Sequence, residues 1–304
     1  MSEWIARVSP SSWLCCAVAL IGPLAGACQG DIQLGQLESA SASGGVGAGS
    51  ANLGGGGGGA KGGGGGGGSA SGGNAGGANA GNANLLWHAE FEGPDLSEWT
   101  SDGQGANYRS SEPVAPVITS EHAHTGAQAL KVSISVANGM TSANYMYRQA
   151  ATPVEAYYSA WFFIPQNYTV KDWWNILHFV GSQTGDGRNE MSLWDVDLRS
   201  AADGSLGLYV YEFARSKQHD PATPRAFPVG AWVELSVLFR KANDTSGRFA
   251  VYQDGTLLID VSDVRTAPND WLRWSVGSAS SDIVPTPADL YLDDATISLA
   301  RVAP

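Results

Sequence analysis

Of the 304 residues, 40 are glycine, and 24 of these fall between positions 29 and 84, which leaves 220 residues, 85–304, with the composition of a folded domain. Seventeen basic and 29 acidic residues give a net charge of −12, and only Arg7, Lys61, Glu3, Asp31 and Glu38 precede position 85, so the later segment carries −11. A field of that sign repels polyanions, and no cluster of Lys or Arg offers a local exception, which argues against a nucleic-acid partner.

Taken in chain order, residues 13–24 (WLCCAVALIGPL) form an apolar run too short to cross a bilayer as a helix and are followed by small residues, as in a secretory signal. The three cysteines are Cys15, Cys16 and Cys28, so cleavage before Cys28 leaves one cysteine at the mature terminus and no internal disulfide. Residues 24–28 (LAGAC) resemble the bacterial lipobox, with Ala25 where that motif prefers leucine. The resemblance implies a signal peptide over 1–27 and a lipidated Cys28. Ala25-Gly26-Ala27 also satisfies the A-x-A rule of ordinary secretion, which leaves a free thiol. Gln29 replaces the aspartate of the lipoprotein retention signal, so an outer-membrane, cell-surface location is expected, with secretion as the alternative.

Residues 28–84 form a Gly/Ser/Ala/Asn-rich segment with almost no apolar side chain from 39 onward, including glycine runs at 54–59 and 62–68. Such a segment buries too little surface to offset backbone entropy and reads as a disordered tether. It lacks the Lys-Ser/Thr ending of a phosphate loop.

Residues 129–136 (ALKVSISV) alternate apolar and polar, the period of a half-buried strand. Similar segments follow at 157–164, 174–180, 191–198, 206–213, 232–239, 249–253, 257–261 and 290–299, and Asp254-Gly255 supplies a tight hairpin turn between two of them. No stretch shows sustained helical periodicity. An all-β, antiparallel sandwich is predicted over 85–304.

Three stretches resemble the concanavalin A-like jelly rolls, a family that includes laminin G-like lectins, glucanases and polysaccharide lyases: Phe91-Glu92-Gly93 with Leu96 and Trp99, residues 123–132, and residues 290–294. The resemblance covers the whole domain and implies the fold more firmly than an activity. Within it, the lyases place an arginine, a His-bearing strand and a tyrosine-bearing strand in the chain order that Arg148, Asn175 with His178, and Tyr209 with Tyr211 repeat. Lytic β-elimination needs a group to neutralise the uronate carboxylate, a base and an acid, and these residue types supply them. The lyases' Gln two places before the histidine is Ile176 here, and their strand lysine has no counterpart. Asp195 and Asp197 share a strand face as in glucanases, but the third acidic position is missing.

Nine tryptophans lie in the domain, and adjacent Trp173 and Trp174 cannot both face inward from one strand. With Tyr209 and Tyr211 they are the candidate stacking platform for a sugar. Glu90 and Glu92 near the first strand, with Asp293 and Asp294 near the last, are candidates for the structural Ca²⁺ that jelly-roll modules often carry, and no other cofactor is required. The expectation is a lipid-anchored surface protein whose domain binds a polysaccharide. A polysaccharide lyase on the same fold is the alternative, and a structural or protein-interaction module the third reading.

Overall fold

The computed structural model describes residues 84–100, 107–136 and 140–302, and the signal, Cys28 and the tether lie outside them. In chain order the strands are β1 (Leu85–Ala89), β2 (Tyr108–Ser110), β3 (Val117–Thr119), β4 (Ala129–Ile134), β5 (Ser142–Gln149), β6 (Glu155–Phe163), β7 (Thr169–Val170), β8 (Trp174–Ser182) and β9 (Glu190–Ser200). They continue as β10 (Leu206–Glu212), β11 (Lys217–His219), β12 (Ala226–Phe227), β13 (Trp232–Arg240), β14 (Gly247–Gln253), β15 (Thr256–Val264), β16 (Arg273–Ser280), β17 (Ile283–Val284) and β18 (Ala288–Ser298). There is no α-helix among the described residues.

The strands form an antiparallel sandwich, as the alternation predicts. One eight-stranded sheet runs β15-β14-β13-β6-β18-β4-β3 with β1 against β18, the other runs β11-β10-β9-β8-β16-β5-β2 with β12 against β10, and β7 with β17 makes a two-stranded ribbon. Inward residues of both sheets interdigitate as one core: Val132, Phe162, Val237 and Leu292 from the first meet Met146, Phe179, Val196 and Trp274 from the second. The alternation in β4 is as expected, with Leu130, Val132 and Ile134 fully buried. Asp254 and Gly255 both take positive φ, 46° and 73°, and join β14 to β15 as the hairpin turn their residue types favour.

Among the strands with no expectation in the sequence, the two long ones, β5 and β16, pair with each other beside β8 in the second sheet. Their outward positions carry Tyr145 and Tyr147 on β5 and Arg273, Ser275 and Gly277 on β16. β16 is buried along its whole length and lacks alternation because small residues occupy both of its faces, beside Trp274 and Val276 on the core side.

Candidate functional site

The middle of the second sheet turns a row of functional side chains away from the core. Strand register aligns Tyr211 with Asp195, Asp195 with His178, His178 with Ser275, and Ser275 with Tyr147, so five neighbouring strands each contribute one residue to a line across the sheet. Beside it runs a second line in which Tyr209 aligns with Asp197 and Asp197 with Asn175.

Asn175 and His178 are three residues apart, a spacing that in a regular strand sends side chains to opposite faces. A β-bulge resolves this. Asn175 pairs with Asp197 and Leu177 with Val196, so Ile176 is the extra residue, and both Ile176 and Leu177 turn into the core at 0% exposure. The bulge thereby gives Asn175 the outward place that strict two-residue spacing would have given Ile176.

His178 Nδ1 bonds the Asp195 carboxylate. With that nitrogen held as the donor, Nε2 carries the lone pair of the neutral ring, which makes it the atom able to accept a proton. The Tyr145 ring lies 6.2 Å from the His178 ring at 24° between planes, and its hydroxyl donates to Asn175 Oδ1 at 2.5 Å. Asn175 Nδ2 donates to Asp197 Oδ1 at 2.8 Å and to the Leu177 carbonyl at 2.9 Å. Tyr209 also bonds Asp197, and the Arg199 guanidinium sits 5.3 Å over the Tyr209 ring.

Burial first, then the charge of Asp195, pushes the Asp197 carboxyl well above its usual range. Burial likewise raises the phenols of Tyr145 and Tyr209, with the nearby aspartates adding to it, so both hold their protons at neutral pH. The row therefore combines an imidazole oriented by a carboxylate with protonated phenols on either side.

The structure brings together His178, Asn175, Tyr209 and Tyr211 of the expected residues, and it separates others. Arg148 lies on the core side of β5, since Met146 two residues earlier is fully buried. There it donates to Thr100 Oγ1 at 2.5 Å and stacks 4.6 Å from the Trp87 ring, behind the sheet that carries His178. Trp174 is a correction: it is 0% exposed, its Nε1–H donates to Ser278 Oγ at 2.8 Å, and a ring enclosed in the core offers no face to a sugar. Trp173 is half-buried just before the same strand. Asp195 and Asp197 are engaged by His178, Asn175 and Tyr209.

The four acidic residues proposed for calcium do lie near one another, but donors already occupy them. Glu92 Oε1 accepts from Ala127 N at 2.8 Å and Gln128 N at 2.9 Å, and Asp293 Oδ2 accepts from His124 N at 2.8 Å and Thr125 N at 3.3 Å. Asp294 bonds the His124 ring at 2.7 Å and Thr125 Oγ1 at 3.0 Å, and Glu90 sits 3.2 Å from the His88 ring. Among the described residues no group of three or more His, Cys, Asp or Glu is placed to hold a metal ion. The set does not fit calcium, which needs convergent oxygens; it fits a hydrogen-bonded brace for the 124–128 turn.

Tyr145, Tyr147 and Arg273 belong to the site face and were not read from the sequence. The signal that could have found them is weak: Tyr145 and Tyr147 are two residues apart, the period of one strand face, within a segment too polar to read as a strand. A depression of about 450 Å³ lined by His219, Asp220 and residues 257–261 shares no residue with the row.

Fold and site together define an antiparallel β-sandwich that presents a His, Asp, Asn and Tyr cluster on the outer face of one sheet. The comparisons make the fold specific. The chain is similar to endo-β-1,4-glucuronan lyase from the fungus Trichoderma reesei, at 15% identity and a TM-score of 0.53, covering 71% of this chain and 96% of that one. It is also similar to the cellulose-induced protein Cip1, at 13% identity and a TM-score of 0.48 over 71% of this chain and 99% of that one. A third likeness is to the marine alginate lyase of Aplysia kurodai, at 13% and 0.42 over 62% and 87%. No protein-family model matches the chain, and no curated protein matches it. The first of these likenesses establishes the jelly-roll sandwich; at such identity none carries an activity to this chain.

Proposed function

We propose that the domain is a polysaccharide lyase that cleaves a uronate polymer by β-elimination. The observation that carries this reading is His178, fixed at Nδ1 by Asp195, in one row with Tyr211 and beside the protonated Tyr145. A binding surface gains nothing from an imidazole held in one tautomer, whereas a base does. In the proposed reaction His178 Nε2 takes the proton from the sugar carbon beside the carboxylate. The electron pair released forms a double bond to the next carbon, the bond from that carbon to the glycosidic oxygen breaks, and Tyr211, in line with Asp195 and His178, gives the leaving oxygen its proton. Tyr209 and Tyr211 line the same face. Burial pushes the Asp197 carboxyl toward its neutral form, which lessens the negative charge that a uronate carboxylate would meet on the Asn175 side.

A second reading, binding without cleavage, is favoured by Asn175 and Arg148. Both ends of the Asn175 amide are engaged within the protein and Arg148 lies behind the sheet, so neither is placed to neutralise a uronate. In that reading Tyr209, Tyr211 and Trp173 contact the sugar. Mass analysis of products from glucuronan and alginate separates the two. Elimination yields oligosaccharides one water lighter than hydrolysis would, and binding alone leaves the polymer at its original length. The reading also sets the domain on a lipidated Cys28 at the cell surface, the expectation that its lipobox-like segment carries.

A further inference from the structure

The site face does not end at the His178 row. Two residues beyond Ser275 on β16, about 7 Å along the strand, stands Arg273, paired with Gln149 on one side and Val180 on the other. Its side chain is only 6% exposed, lies 5.2 Å over the Tyr147 ring, and grips both oxygens of Glu190, with Nη2 at 2.8 Å from Oε2. Arg109, the register partner of Tyr145 on β2, brings a second guanidinium 5.7 Å over the same Tyr147 ring and onto the same carboxylate, at 2.9 and 3.3 Å. Unlike Arg273, it is 51% exposed.

Two guanidiniums on one carboxylate leave a net positive charge, in a domain whose own charge is −11. The burial of Arg273 demands a counter-ion, and the two-pronged grip of Glu190 provides it. Although burial favours its neutral form, the two arginines hold Glu190 below the usual carboxylate range. Glu190 is thus matched by Arg273 alone, and the charge of Arg109 is surplus, turned to solvent at the end of a face that already carries the candidate base.

We propose that Arg109, steered by Glu190 and backed by Arg273, binds the carboxylate of a neighbouring sugar, so that the ligand is a polyuronate and not a neutral glycan. This rests on the polysaccharide reading of the same face and adds to it the sign and place of the substrate's charge. A surface guanidinium gripping a carboxylate contributes a charge-assisted hydrogen bond, so its loss is expected to weaken binding about tenfold.

The test uses two probes that differ only in their carboxylates, β-1,4-linked tetraglucuronate and cellotetraose, against the wild type, R109Q and R109K. Glu190 keeps Arg273 in both variants, and unchanged melting temperatures check that the fold is retained. The expected result is that the wild type binds tetraglucuronate more tightly than cellotetraose, that R109Q erases most of that preference, and that R109K retains part of it. On glucuronan the loss in R109Q should fall in KM, and the wild type should be the more sensitive to added salt. A preference for tetraglucuronate that survives in R109Q overturns the subsite while leaving the lyase reading intact. The wild type binding both probes equally overturns it as well. If the wild type cleaves nothing yet prefers tetraglucuronate through Arg109, the lyase reading falls and the subsite stands.

Discussion

Asp195 decides what His178 can do. A carboxylate on Nδ1 fixes the ring's orientation and stabilises the imidazolium that forms when Nε2 takes a proton. Asp195→Asn keeps the size but offers an amide in place of the charge, and turnover is expected to fall by about a hundredfold or more with substrate affinity largely retained; equal activity in steady-state kinetics would remove the dyad from the mechanism. Tyr211→Phe should lower turnover by a comparable factor, because in this mechanism its phenol serves the leaving oxygen. At the opposite sheet Glu234 makes a stability prediction. It is 3% exposed with Oε2 unpartnered, and burial, aided by Asp254 and partly offset by Arg301, pushes its carboxyl up to about 7. A carboxyl whose folded value is raised binds its proton more tightly in the folded state. Its contribution is therefore most favourable below pH 4.5 and is lost as pH rises to about 7. Glu234→Gln removes that loss, and chemical denaturation at pH 8 should show the variant more stable by up to about 3 kcal/mol, with the gain vanishing near pH 4.

At the scale of the element, the bulge in β8 and the bare backbone of β16 place the site. A Cβ at Gly277 would lie 2.3 Å from the Asn144 carbonyl and 2.7 Å from Tyr145 Cα, at a φ of 154°. Gly277→Ala should therefore destabilise the domain by roughly 2 kcal/mol or more and displace Tyr145, detectable as a lower melting temperature together with lost activity. The brace of Glu92 and Asp293 predicts a different response. Either alanine substitution strips acceptors from backbone amides of the 124–128 turn and should lower the melting temperature, while a chelator should leave the wild type unchanged; a fall on chelation restored by Ca²⁺ would show that these oxygens hold a cation after all.

These same elements explain what the sequence could reveal. β4, β6, β8, β9, β10 and β13 carry apolar residues at alternate positions, so their strands were legible, and His178, Tyr209 and Tyr211 came with them. β5 and β16 were not, because Arg273, Ser275 and Gly277 on the outer face of β16 meet functional groups and not solvent, while polar Asn144 and Arg148 take core-side positions of β5, which erases the contrast that periodicity reads. The burial of Trp174 was also hidden. Either of two adjacent tryptophans could have faced inward, and only the register of Asn175 against Asp197 settles which does.

At the scale of the whole molecule, charge and anchoring meet. An acidic domain repels a polyuronate at long range, so capture depends on the local surplus charge of Arg109 at the end of the site face, and association should slow less steeply with added salt than for a basic enzyme. The expected lipid on Cys28 would hold that face at the cell surface, and mass spectrometry of the mature N-terminus checks it: a diacylglyceryl-modified Cys28 is expected, and an unmodified cysteine in the medium would replace the anchor with secretion. The central claim is that His178 abstracts a proton from a uronate, and it is tested most directly by the ultraviolet absorbance of unsaturated uronate ends. Purified protein on glucuronan or alginate should give a rising absorbance that His178→Ala abolishes while polymer binding persists. Firm binding to these polymers with no absorbance change from the wild type, or an unchanged rise from the His178 variant, would contradict it.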